Sequence, residues 1–109
     1  MIAQPAHTDR FCFTNSELED VDLVIEPWIG ELRVAPGATL DVVGWSVDAG
    51  SFHWDETSHV LYGWSSSEAR ATVSGVEVWK SFAPCPSTPS GVSIAKVFGV
   101  LGFGDGEAR

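Results

Sequence analysis

The chain holds little that commits it to a chemistry. Only two cysteines, Cys12 and Cys85, occur in 109 residues, too few for the dense disulfide framework of a small secreted scaffold. Basic residues are scarce as well: six Lys and Arg stand against 15 Asp and Glu, for a net charge of −9. Such a field repels phosphate backbones and anionic bilayers, so nucleic acid and membrane surfaces are excluded as expected partners. No apolar run approaches the roughly 18–20 residues that a bilayer-spanning helix needs. The opening MIAQPAHTDRFCF has no basic stretch followed by an apolar one and does not read as a signal peptide. A cytoplasmic location with both thiols reduced is therefore expected. No Gly-x-Ser-x-Gly elbow is present, and Gly102-Phe103-Gly104 neither follows a clear strand nor opens a helix. Nucleophilic hydrolysis and phosphate cradling both lose their usual signatures.

What the chain has is alternation. In residues 21–43 (VDLVIEPWIGELRVAPGATLDVV), Val21, Leu23 and Ile25 alternate with Asp22, Val24 and Glu26, which puts them on one face of a strand. Pro27 removes a donor and ends that segment. Leu32 and Val34 alternate with Glu31 and Arg33 in a second segment. Pro36-Gly37 is a turn, with Pro presetting φ and Gly supplying a positive φ. Leu40 and Val42 begin a third segment. Its apolar phase changes at Gly44, where a β-bulge is expected to bring Trp45 and Val47 into register. Residues 10–15, 51–55 and 59–64 add aromatic-rich strands, and 71–73 with 76–79 form a hairpin across Ser74-Gly75. One wet and one dry face per strand marks an antiparallel sheet. The expected fold is all-β, an antiparallel sandwich or jelly-roll-like barrel of about seven strands. Residues 1–83 would form it. Residues 84–109 would be a proline-rich linker and an apolar arm (91–103) that either adds a last strand or packs on another subunit.

The run Glu26-Pro27-Trp28, then Glu31, then Pro36-Gly37-Ala38-Thr39-Leu40 resembles a pattern in small uncharacterised bacterial β-sandwich proteins, with a weaker match at Val73-Ser74-Gly75. The resemblance covers about the first half of the chain. It implies the sandwich fold and brings no assigned activity.

Three sets of residues are candidates for function. The first is five tryptophans. Trp54 and Trp64 share parity with apolar neighbours and are expected inside. Trp28 shares parity with Asp22 and Glu26, and Trp79 alternates against Val76 and Val78, so both are expected outside. Exposed Trp offers a large contact area, suited to a protein partner or to a stacked pyranose; packing beneath the chain or at a dimer contact is the plainer reading. The second set is acidic. Residues 1–56 hold 11 acids and 2 bases, the remainder four of each. The strip at Asp22 and Glu26 would suit a basic protein, as in an immunity protein or decoy for a basic enzyme, or would simply keep the protein in solution. The third is His53 and His59 with Asp55, a possible divalent-metal set in the manner of cupins. Cupin metal sites, however, use a His-x-His pair, and here Asp55 stands where the second histidine would be. Strand-edge histidines with no ligand are the plainer reading. Cys85, between Pro84 and Pro86, is expected near the surface, and the acidic surroundings do not favour a reactive thiolate. The expected function is a non-enzymatic interaction or binding domain without a cofactor that self-associates or takes a protein partner. A metal-binding protein and a carbohydrate-binding module are the alternatives.

Overall fold

A computed structural model describes residues 7–86. The expected arm at 91–103 lies outside them. Eight strands form in chain order: β1 (His7–Thr14), β2 (Val21–Glu26), β3 (Gly30–Val34), β4 (Thr39–Ser46), β5 (His53–Asp55), β6 (Val60–Tyr62), β7 (Glu68–Val73) and β8 (Val76–Lys80). They make two four-stranded sheets, ordered β1-β4-β7-β8 and β3-β2-β6-β5. The described residues hold no helix long and apolar enough to cross a membrane.

The alternation seen in the sequence builds the interior. Leu23 and Ile25 from β2, Val34 from β3, Leu40 and Val42 from β4, Leu61 from β6 and Ala69 and Ala71 from β7 are withdrawn from solvent between the sheets. The turns follow their residues. Ala38 N–H donates to Ala35 C=O at 3.0 Å, with Gly37 at φ +81°, the positive φ that a type II turn requires after Pro36. Ser74 and Gly75 both have positive φ, +51° and +86°, as a two-residue hairpin of the primed type demands.

Several expectations are corrected. The sheets are not wholly antiparallel: β2 and β6 run parallel, Val24 opposite Val60 and Glu26 opposite Tyr62. This pairing is non-local and leaves no trace in local pattern. No bulge interrupts β4. Its register against β1 and β7 is continuous through Gly44, so Ser46 turns inward and Trp45 outward. A Cβ on Gly44 would lie 2.6 Å from Phe52 Cζ and 2.9 Å from Trp64 Cζ3; glycine is there to seat two rings. The bulge falls instead between Ala71 and Thr72 in the β7–β8 pairing, where Trp79 opposes Ala71 and Glu77 opposes Thr72. Trp79 therefore turns inward, while Val76 and Val78 are the exposed residues of that strand. Cys85 is buried rather than exposed: its N–H donates to Ser67 C=O at 2.7 Å and its C=O accepts from Ser66 N–H at 3.0 Å.

Leu61, fully buried on the inner face of a central strand, reports the core. Leu61→Ala is expected to lower unfolding free energy by about 2–5 kcal/mol. Val76→Ala, on the exposed edge strand, should change it by less than about 0.5 kcal/mol. Urea unfolding of both variants checks the contrast.

Candidate binding groove

Among the described residues β1 is an edge of one sheet and β5 an edge of the other. Inward-facing Phe11 and Phe13 of β1 meet Trp54 of β5, with ring centroids 4.8 and 5.9 Å from the indole. His59 lies flat on Trp54, 5.9 Å away and 10° from parallel, and 6.5 Å from Phe13. Its φ of +57° is left-handed, a region that non-glycine residues adopt rarely and histidine more often than most. The conformation is tied down because His59 C=O accepts the Val24 N–H at 3.1 Å. One turn earlier, Asp55 Oδ1 accepts the N–H groups of Thr57 and Ser58 at 3.0 and 3.3 Å, which shapes the approach to His59.

Below these rings opens a groove of about 450 Å³. Phe13, Trp54 and His59 form one wall, and Glu17 and Glu56 also line it. Glu17 belongs to the connection between β1 and β2, which is pinned by one buried side chain. Asn15 Nδ2 donates to Glu19 C=O and to Val34 C=O, each at 2.8 Å, and Asn15 Oδ1 accepts from Glu17 N–H at 2.8 Å. Its own backbone bonds Ala38 C=O and Gly37 N–H. Asn15 thus satisfies every polar atom it buries and fixes a loop whose tip carries Glu17, Glu19, Asp20 and an almost fully exposed Leu18.

The residues singled out from sequence are distributed elsewhere, His59 and Trp54 excepted. Trp28 is buried, 7% exposed, not outward. Its ring packs on Trp79 with centroids 5.6 Å apart, and its Nε1–H donates to Ala83 C=O at 2.6 Å. Glycines make room for both rings: a Cβ on Gly63 would meet Trp28 Cη2 at 2.8 Å, and one on Gly30 would meet Trp79 Nε1 at 2.6 Å. The pair closes the sandwich between β3 and β8 and offers no platform for a sugar. Trp54, expected inside, is half-buried at the groove. The acidic strip is divided. Asp22 is exposed and paired with Arg33, Nε to Oδ1 2.8 Å, which holds its carboxyl below the usual range. Glu26 is buried, and desolvation pushes its carboxyl upward against a weaker opposing bond from the Ile29 backbone. His53, Asp55 and His59 do not assemble. His53 is exposed with its ring 6.0 Å from Tyr62, and strand alternation sends His53 and Asp55 away from the face on which Trp54 meets His59. Among the described residues, no three of His, Cys, Asp and Glu form a group that could hold a metal ion.

Sequence reasoning missed Phe13, Glu17 and Asn15 as parts of one site. Asn at a strand end is a turn signal, but only the tertiary structure brings it against Val34. The chain matches no protein-family model, no curated protein and no solved structure.

The Glu26 environment makes a signed pH prediction. A folded-state carboxyl pKa above the unfolded value favours the protonated fold. That stability is present below the unfolded pKa of about 4.3 and is lost as pH rises through the raised folded value. Glu26→Gln keeps the volume and an acceptor for Ile29. It is expected to gain on the wild type between pH 4 and pH 7 and to be the more stable at pH 7. Urea unfolding at the two pH values checks this; an offset independent of pH would contradict it.

Proposed function

We propose that the chain is a small non-enzymatic interaction domain, acting in the cytoplasm without a cofactor, that engages a protein partner at the groove beside β1 and β5. The observation that carries this reading is the wall of Phe13, Trp54 and His59 standing at an open groove instead of being sealed in the core. Rings held in place by neighbours present area at little entropic cost. The non-enzymatic part is supported by the thiols. Cys85 is buried with its pKa pushed up to about 12 by desolvation, the reverse of nucleophile activation.

The test is His59→Gly. Glycine accepts the left-handed backbone that histidine strains to hold, so the variant should unfold no earlier than wild type on heating while losing the imidazole wall. Native mass spectrometry of the protein isolated from its host, without chelator, should show a protein partner or a whole multiple of the chain mass and no bound small species. If a partner is bound, its affinity for His59→Gly should fall by about tenfold, some 1.4 kcal/mol. A stoichiometric metal or small molecule in the isolated protein would overturn the reading.

Self-association has its own supporting observation. Among the described residues β8 is an edge strand, and Val76, Val78 and, just beyond it, Phe82 are 66%, 48% and 82% exposed. An edge with apolar side chains invites pairing with a second copy. Wild type should then sediment with a mass that rises with concentration, while Val78→Lys stays at 11.7 kDa. A wild type fixed at the monomer mass would remove this second reading.

A further inference from the structure

Resting on the reading of the groove as the interaction site, we infer that its occupant is a lysine or arginine side chain presented by a basic protein partner.

Three features define that chemistry. The wall is aromatic: Phe13, Trp54 and His59 offer apolar surface along which the methylene stem of a long cationic side chain can lie. The rim is anionic. Glu17 and Glu56 line the groove, with Glu19 and Asp20 following on the same loop. Finally, among the described residues neither Glu17 nor Glu56 takes part in an ion pair, whereas Asp20 lies in the field of Arg33. Among the described residues, the ion pairs are Arg10 with Asp41 and Arg33 with Asp22, neither at the groove. Arg70 and Lys80 oppose one another in the β7–β8 register, on the two strands of the β1 sheet that lie beyond β4. An anionic rim that no ion pair among the described residues neutralises is complementary to an external cation.

Other occupants fit less well. A nucleic acid would bring phosphate against the glutamates. A pyranose needs a free aromatic face, and the Trp54 indole is already in contact with Phe11, Phe13 and His59. The loop that carries Glu17 is fixed by the Asn15 bonds before any ligand arrives, so little ordering opposes binding.

The experiment titrates the full chain with octa-arginine, and with a Gly-Ser octapeptide as the uncharged comparison, followed by amide and indole NMR shifts. Octa-arginine should bind saturably, moving the Trp54 indole and the His59 amide more than the indoles of Trp45 and Trp79. Glu17→Gln with Glu56→Gln should weaken it about tenfold, as loss of charge-assisted contacts implies. Glu31→Gln with Glu77→Gln removes the same net charge at other exposed sites and should change affinity by less than about twofold. Equal weakening by the two pairs would show attraction to net charge alone and overturn the inference. So would groove shifts with the Gly-Ser peptide as large as those with octa-arginine, an outcome that leaves the interaction reading standing. Silence of the groove toward both peptides overturns the inference too; if the association of the isolated protein is also indifferent to His59→Gly, the interaction reading falls with it.

Discussion

Ring-over-glycine packing is the constraint on which the rest of this fold depends. Two twisted sheets leave corners wider than aliphatic side chains can fill, and here the corners are filled by aromatic rings lying where a Cβ would otherwise stand. Trp79 occupies the space above Gly30, Trp28 that above Gly63, and Trp64 with Phe52 that above Gly44. A ring seated this way is locked on both sides, because any larger residue in the seat would have to displace it. The seats also explain why four of the chain's large rings serve packing, two of them, Phe52 and Trp79, while staying partly exposed.

Trp54 is different. None of the described glycines has it as a Cβ neighbour; its support comes from other rings, Phe11, Phe13 and His59. Rings that lean on one another at an edge keep part of their surface in water. The same physics that makes a tight corner at Trp28 and Trp79 thus leaves a wall at Trp54. Position relative to glycine, more than hydrophobicity, separates the two kinds of aromatic.

That distinction marks the limit of what the sequence discloses. Strand segments and turns were legible because alternation and the Pro36-Gly37 and Ser74-Gly75 signals are local. The all-β class and the two-layer form followed from them. Face assignment failed wherever phase passed a proline or a glycine. Trp28 lies beyond Pro27 and outside the strand, so strand parity does not apply to it. Gly44 looks like a phase break and is instead a ring seat within an unbroken strand. The site was harder still. Asn15, Glu17, Trp54, Glu56 and His59 come from two regions some 40 residues apart in the chain, joined by the meeting of two sheet edges, and no periodicity encodes that meeting. The acidic excess was legible as composition, but not its partition: Asp22 is paired with Arg33, which also feels Asp20, Glu26 is withdrawn from water, and Glu17 stands at the groove.

The partition has an energetic logic. Carboxylates crowded on one loop repel, and a flexible loop would relieve the repulsion by spreading. Asn15 prevents this by bonding the backbone of Glu17 and Glu19 at once while anchoring itself to Val34 across the turn. The loop is therefore ordered around its carboxylates in the free protein, the state that the inferred cationic side chain would meet. A bond network that orders a groove can in this way favour binding, since a ligand then has little ordering left to impose. Screening by salt weakens both the repulsion and the attraction, so the gain is greatest at low ionic strength and declines toward that of the aromatic wall alone.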